Sequence, residues 1–241
     1  MSETSIEVKK SIVETEDTFN VSNLDDLEAL SQAAATSEKL RQRFALIVDA
    51  TSSMHNEWGM AKTALAKAVD EIKRHTSVPF QVKVIAYRDI TCDPVPVEQS
   101  DWSNDTSYLK EYIEKMLCSG GGDLPESIDI GLQTSIQDRP NQIILIGDAE
   151  GRYESPGYYE ASELGRTNCP IYALWVRKNP SAIKAFKELA RLSGGKAMAL
   201  TGDELAFADI LALIFSKNKS LMLSYEPKTI EGRKAELEFK K

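Results

Sequence analysis

Cysteine and histidine are scarce in this chain, which has 241 residues, three cysteines and two histidines. The cysteines are odd in number and widely spaced, so they form neither a disulfide framework nor a zinc-finger pattern. Two histidines are too few for a histidine-rich metal centre. The first ten residues contain no apolar run of the kind that forms a secretory signal. We therefore expect free thiols and a protein that resides in the reducing cytoplasm.

Long apolar runs and an excess of positive charge are also missing. No stretch approaches the roughly 20 apolar residues that a membrane-spanning helix requires. The 37 acidic residues outnumber the 29 basic ones, which gives a formal net charge of −8. Nucleic acids and anionic membranes repel a chain with this balance, so we expect neither as a partner. A divalent cation or a basic protein remains compatible with the composition.

Short apolar runs alternate with amphipathic segments between residues 43 and 217. Strands are predicted at 44–50, 80–87, 95–99, 141–149, 171–176 and 196–200. The run at 95–99 has two nearby prolines, which favours an edge strand. Helices are predicted at 57–74, 106–117, 124–138, 156–167, 181–193 and 203–217. This alternation is typical of a three-layer α/β domain, in which helices cover both faces of a mostly parallel, doubly wound sheet with one antiparallel edge strand.

Two segments of different composition flank this domain. Residues 1–42 form an acidic arm with nine acidic and four basic residues, and within it the leucine spacing predicts a helix over 23–41. The arm is expected to be a solvated segment, with binding to a basic partner as the alternative. In the C-terminal extension, residues 218–241, the alternation of Ala235, Leu237 and Phe239 predicts one strand of a β-hairpin.

Oxygen-bearing side chains occur in three separate predicted loops. The first predicted strand ends in Asp49, which is followed by Thr51 and Ser53 at alternate positions. Three glycines precede Asp123, and the most strand-like segment is followed directly by Asp148. Because ligands of open parallel sheets bind beyond the carboxyl ends of the strands, we expect these loops to converge. A ligand set of oxygen atoms alone favours Mg²⁺, with Mn²⁺ or Ca²⁺ as alternatives, over zinc or copper.

The same loops resemble those of the von Willebrand factor A domain family and its metal-ion-dependent adhesion site. The resemblance is carried by the D-x-T-x-S sequence at 49–53, the GGGD-x-PE sequence at 120–126 and the GDA sequence at 147–149. It covers roughly residues 43–217, and Tyr87-Arg88-Asp89 is similar to intracellular, single-domain members. The family's first loop is D-x-S-x-S, so a threonine here replaces the usual serine.

The resemblance implies a binding mechanism and a set of ligands. Asp49, Thr51, Ser53 and Asp148 match family ligands, and Asp123 stands near the position of a family threonine. In such a site one metal position stays open for a carboxylate of a partner protein. An extra carboxylate at 123 would bind the cation more tightly and would also weaken its attraction for that partner acid. The implied function is a Mg²⁺-dependent protein-interaction module without catalytic residues, acting as an adaptor or scaffold in an intracellular assembly of unspecified stoichiometry.

Simpler interpretations and one enzymatic alternative also fit single residues. Asp49, Thr51 and Asp123 have the chemistry of helix caps, and Glu126 that of a first-turn helix acid. An aspartate after the first strand, together with Mg²⁺, also describes haloacid-dehalogenase-like phosphatases with Asp49 as nucleophile. Those enzymes need a second aspartate two residues later, where this chain has Thr51. No phosphate-binding loop or GxSxG sequence is present.

Overall fold

The structure is a computed structural model, and its chain separates into two units, residues 1–41 and 42–241. It describes residues 6–9, 18–21, 41–75, 79–122, 125–200, 204–216 and 227–240. The predicted helix over 23–41, the first predicted strand of the C-terminal hairpin and Asp123 lie outside these ranges.

The first unit contains a two-stranded sheet. Strand β1 (Ile6–Lys9) pairs antiparallel with β2 (Thr18–Val21), and Ile6 lies opposite Val21. The sequence predicted a solvated arm here and did not reveal this pairing.

The second unit is built on a six-stranded sheet. Its strands are β3 (Gln42–Asp49), β4 (Phe80–Tyr87), β5 (Val97–Gln99), β6 (Gln142–Gly147), β7 (Ile171–Trp175) and β8 (Ala197–Ala199). They lie in the order β5-β4-β3-β6-β7-β8, and every neighbouring pair is parallel except β4 with β5. This confirms the predicted fold class, including the single antiparallel edge strand.

Helices cover both faces of this sheet. They are α1 (His55–His75), α2 (Thr106–Lys115), α3 (Ile128–Asp138), α4 (Tyr158–Arg166), α5 (Pro180–Ser193), α6 (Glu204–Ser216) and α7 (Ile230–Lys240). Residues of α1, α2 and α6 share one buried core with Leu46 and Val48 of β3. Residues of α3, α4 and α5 share the other core with Ala45 and Ile47. Because β3 is buried on both faces, its sequence is a continuous apolar run. Within the described ranges, every helix is too short or too polar to span a bilayer.

The start of α3 differs from the sequence prediction. The helix begins at Ile128, four residues later than predicted, because the chain before it pairs with a neighbouring loop instead. The backbone N–H of Glu126 donates to the carbonyl of Glu150 at 2.9 Å, and the carbonyl of Glu126 accepts from Arg152 N–H at 3.2 Å. Glu126 therefore lies in a strand-like bridge, and its interpretation as a first-turn helix residue is wrong.

The C-terminal extension also differs from the prediction. Residues predicted as the second strand of a hairpin form helix α7, in which Ala235 is buried and Leu237 is exposed. Lysine, alanine, glutamate and leucine dominate this segment, and all four are strong helix formers, so their propensity outweighs the short alternation. Asp209 of α6 anchors the start of α7 by accepting from Lys228 N, Thr229 N and Thr229 Oγ1 at 2.7–3.0 Å.

Asp209→Ala should weaken the attachment of α7 to α6. The substitution removes the acceptor of two partly buried backbone N–H groups and of the Thr229 hydroxyl, so we expect the free energy of unfolding to fall by about 2 kcal/mol. Hydrogen exchange of the α7 amides should become faster. Urea unfolding and exchange mass spectrometry measure the two effects, and Asp101→Ala, at an exposed position, is the control. Unchanged exchange in α7 would contradict this role of Asp209.

Candidate functional site

The predicted site forms at the carboxyl ends of the two central strands. Strands β3 and β6 are neighbours, with Val48 opposite Ile146, so Asp49 and Asp148 leave the sheet side by side. The chain after β3 bends away at Ala50, whose N–H donates to the carbonyl of Tyr87 at 3.0 Å. It then enters a short 3-10 turn at Ser52–Met54, which leads into α1.

Four of the five predicted ligands are joined in one chain of polar contacts. Asp49 Oδ1 accepts from Thr51 N at 2.9 Å and from Thr51 Oγ1 at 2.6 Å. Ser53 Oγ donates to Asp148 Oδ1 at 2.8 Å, and the two hydroxyl oxygens lie 3.0 Å apart. When both acids are ionised, each hydroxyl proton points to a carboxylate. The lone pairs of Thr51 and Ser53 are then left available to a third group, as metal ligation requires.

Asp49 is the most deeply buried member of this set. It has no exposed surface, and its Oδ2 atom has no hydrogen-bond partner among the described residues. Burial raises the pKa of Asp49 to about 7, against the opposing effect of the hydrogen bonds from Thr51, and the nearby Asp148 adds to the increase. A buried carboxylate oxygen without a partner is costly, and a bound cation would remove that cost. The donor set therefore fits a hard divalent cation.

Two further buried polar atoms in the same region have no hydrogen-bond partner among the described residues. They are Tyr87 Oη and Glu126 Oε2. A Cβ atom placed on Gly147 would lie 2.8 Å from Tyr87 Oη and 3.3 Å from Asp49 Oδ2, so a side chain at that position would intrude between them. Burial and then the charges of Asp49, Glu126 and Asp148 raise the pKa of Tyr87 well above its usual value, so it stays a neutral phenol.

The glycine-rich loop closes over Thr51. Gly120 and Gly121 have φ values of 82° and 72°, in the left-handed region that favours glycine. A Cβ atom on Gly121 would lie 3.1 Å from Thr51 Cβ, and one on Gly120 would overlap the side chain of Asp93. Asp93 Oδ2 accepts from Gly121 N at 3.0 Å and so fixes the loop from the opposite side. The absence of side chains at both glycines is what lets this loop approach the site.

Glu126 is a site residue that sequence reasoning placed in a helix. Its side chain is 2% exposed, and its Oε1 atom lies 3.8 Å from the position of a Cβ on Gly121, beside Thr51. Burial raises its pKa to about 8, with further contributions from Asp49, Asp89 and Asp148. The signal that was available is the GGGD-x-PE sequence itself, where glutamate directly follows a proline that ends the glycine-rich loop.

Arg177, which follows β7, brings the site a positive charge that sequence reasoning missed. Its Nη1 lies 3.1 Å from Asp148 Oδ2, and its Nη2 donates to Glu57 Oε2 at 2.8 Å and to the carbonyl of Ser53. Glu57 and Asp148 raise the pKa of Arg177. Ser53 and Arg177 are separated by more than a hundred residues, so nothing local in the sequence pointed to this contact.

Other candidate residues near the site have structural contacts. Glu150 Oε2 accepts from Asn179 Nδ2 at 3.4 Å, and the same amide donates to the carbonyl of Asp148. Trp58 is buried and donates through Nε1 to the carbonyl of Met116, which makes it a packing residue. His55 is exposed at the start of α1.

Carboxylates alone do not define a metal site here. In the part of the chain that the structure describes, which leaves out Asp123, no group of three or more aspartate, glutamate, histidine or cysteine side chains is placed to hold a metal ion. A cation between Asp49 and Asp148 would depend on the hydroxyl oxygens of Thr51 and Ser53 to complete its ligands.

Comparison with known sequences identifies the class of domain that carries this geometry. Residues 43–156 match the family model of the von Willebrand factor A domain. A protein of Acanthamoeba polyphaga mimivirus, named as an ariadne-like RING finger protein, is 31% identical over 109 residues. The aligned part is 44% of this chain and 10% of that protein, so the chain spans about a tenth of this relative's length.

Several solved structures share the fold at low sequence identity. The von Willebrand factor type A protein from Catenulispora acidiphila has a TM-score of 0.56 at 15% identity, over 75% of this chain and 42% of its own. Proximal thread matrix protein 1 of the mussel byssus has a TM-score of 0.57 at 15% identity, over 72% and 47%. The VWA domain of SpRpn10 has a TM-score of 0.53 at 10% identity, over 74% and 96%. The family match and the fold together show that this chain contains a von Willebrand factor A domain.

Glu126→Gln should change how stability depends on pH. A buried acid whose pKa is raised from 4.5 to about 8 stabilises the fold at low pH, and this contribution is lost as the pH rises towards 8. In EDTA, between about pH 6 and about pH 9, wild type should therefore lose about 2 kcal/mol more unfolding free energy than Glu126→Gln. Urea unfolding at each pH measures this difference.

The matched control for this prediction is Glu154→Gln, which alters an exposed acid. Its pH profile should follow that of wild type. If Glu126→Gln and wild type gave parallel profiles, the burial of Glu126 among the site acids would be wrong.

Proposed function

We propose that this protein is a Mg²⁺-dependent protein-interaction module that acts as an adaptor or scaffold component of an intracellular assembly. Von Willebrand factor A domains are commonly protein-interaction modules. The observation that carries the metal dependence is the contact chain from Asp49 through Thr51 and Ser53 to Asp148, which leaves two hydroxyl oxygens available between two carboxylates.

Asp49, Thr51, Ser53 and Asp148 would hold the cation, and Asp123 remains a predicted fifth ligand. Their oxygen atoms suit Mg²⁺, Mn²⁺ or Ca²⁺. When bound, the cation would supply an open coordination position that a carboxylate of the partner protein fills. Among these four described ligands, Asp49, Thr51 and Asp148 are buried and only Ser53 is partly exposed, so a partner carboxylate would approach the cation from the side of Ser53.

Arg177 supports the same function through charge. It neutralises the outer oxygen of Asp148 and shares its second guanidinium nitrogen with Glu57. Without this arginine, the site would present an excess of negative charge to an approaching acidic partner. Its position at the mouth of the site therefore favours binding of a carboxylate.

The phosphatase alternative is less consistent with the geometry. An aspartate nucleophile must reach a substrate phosphorus, whereas Asp49 has no exposed surface. The residue two positions later is Thr51, which donates its hydroxyl proton to Asp49 and cannot act as a carboxylic general acid. The interaction module uses Asp49 as a buried ligand, which is the role its burial favours.

We propose that this function is carried out in the cytoplasm. All three cysteines are free: Cys92 is exposed, Cys118 is half-buried and Cys169 is buried. An exposed free thiol is more common in reducing compartments than in oxidising ones. Protein partners are proposed in preference to nucleic acid or membrane because of the net charge of −8.

Calorimetric titration of Mg²⁺ and of Mn²⁺ into the full chain tests the metal site. We expect saturable binding to one site in wild type. Asp49→Asn combined with Asp148→Asn removes both charges at nearly unchanged shape, and should weaken binding by at least about 100-fold. Asp101→Asn is the control at an exposed position, and circular dichroism verifies that each variant is folded. No saturable binding by wild type, or equal binding by the double variant, would refute the metal dependence.

The stabilisation by Mg²⁺ should increase with pH. Below about pH 7 the carboxyl of Asp49 carries a proton that a cation must displace, and above that pH it is an ionised buried group that a cation stabilises. Thermal unfolding with Mg²⁺ and with EDTA, at about pH 5.5 and about pH 8, should show the larger increase at the higher pH. The Asp49→Asn variant should show little increase at either pH. An increase that is larger at low pH in wild type would contradict this assignment.

A further inference from the structure

A groove of about 1120 Å³ lies beside the candidate metal site, between the end of β7, one side of α5 and the end of β8. Its apolar lining includes Trp175, Val176, Ile183 and Leu200. Trp175 ends β7 and lies opposite Gly147 of β6, and the N–H of Val176 donates to the carbonyl of Gly147 at 3.0 Å. Both residues therefore lie at the edge of the sheet where Asp148 follows β6. The groove thus opens on the face of the domain that carries the metal-site residues.

The charges around this groove are opposite in sign to those of the whole chain. Five cationic side chains line it, namely Arg177, Lys178, Lys184, Lys187 and Arg191. The single acidic residue in the lining, Glu188, is bound by Arg191 through two contacts of 2.6 and 2.8 Å. A cluster of this kind in a chain of net charge −8 creates a local positive potential.

Three of these five cationic side chains form no ion pair with a carboxylate of the described residues. Lys178 and Lys184 are exposed and form no ion pair with a carboxylate anywhere in the described ranges. Lys187 lies over the ring of Trp175, with Nζ 5.9 Å from the ring centroid, which leaves its ammonium hydrogens available. Only Arg177 and Arg191 are paired. The groove therefore presents unsatisfied positive charge above an apolar floor.

We propose that this groove binds an acidic peptide segment of a partner protein, whose carboxylates contact the lysines and whose apolar side chains occupy the floor. The combination of charge complementarity with an apolar lining carries the assignment. A nucleic acid fits less well, because its phosphates would meet a chain of net charge −8. Binding in the groove uses no metal ligand, so it is independent of the proposed cation site.

Arg177 connects this groove with the candidate metal site. Its guanidinium lines the groove and also contacts Asp148 and the carbonyl of Ser53. One extended acidic segment could therefore contact both the groove and Arg177 beside the candidate metal site. The groove would add buried contact area and positive charge to the interface with the partner. A single carboxylate bound to a cation does not provide these.

Fluorescence anisotropy with a dye-labelled peptide of alternating glutamate and leucine tests the proposal. The full chain is kept in EDTA, so no cation contributes. We expect saturable binding by wild type and about tenfold weaker binding by Lys178→Gln combined with Lys184→Gln. The matched control combines Lys73→Gln with Lys234→Gln, which changes two exposed lysines outside the groove and should bind as wild type does.

Three comparisons decide the class of ligand. A peptide of alternating lysine and leucine should not bind, polyglutamate should bind more weakly than the mixed peptide, and a single-stranded DNA oligonucleotide should compete poorly. No binding by wild type, equal weakening by both lysine pairs, or competition by DNA as strong as by the peptide would overturn the proposal. Because the titration is carried out in EDTA, failure of the cation site and failure of the groove remain distinguishable.

Discussion

The carboxylate of Asp49 has no exposed surface, and it shares one end of the sheet with Asp148 and Glu126. Burial of like charges this close together is costly, and the cost raises the pKa of Asp49 to about 7 and that of Glu126 to about 8. A cation that binds these carboxylates would therefore stabilise the fold. The surrounding loops are arranged around this one buried oxygen pair.

Three sets of contacts offset the negative charge of Asp49 and Asp148 or shield it from water. Thr51 donates twice to the inner oxygen of Asp49, and Arg177 neutralises the outer oxygen of Asp148. Glycines at 120 and 121 let the neighbouring loop lie against Thr51 and shield it from water. These contacts lower the cost of the acids without removing it, because Asp49 Oδ2 still has no partner among the described residues.

Most of the fold could be predicted from the sequence because it depends on local patterns. Buried parallel strands give continuous apolar runs, and amphipathic helices give a period near 3.6, so the strands and helices of the second unit were predicted to within a few residues. The start of α3 and the nature of α7 were not, since Glu126 pairs with the loop at Glu150 and Asp209 anchors α7 across the sequence.

The candidate site shows the same division. Asp49 ends β3, Thr51 and Ser53 follow it in the next loop, and Asp148 directly follows β6. The pairing of β3 with β6 therefore brings them together. Glu126 and Arg177 reach the site through contacts between distant segments, which no local pattern records.

The most direct test of the metal site is an anomalous difference map from crystals grown with Mn²⁺. We expect a peak within bonding distance of Ser53 Oγ and of the carboxylates of Asp49 and Asp148. A map with no peak there, from crystals in which Mn²⁺ is bound elsewhere, would contradict this site.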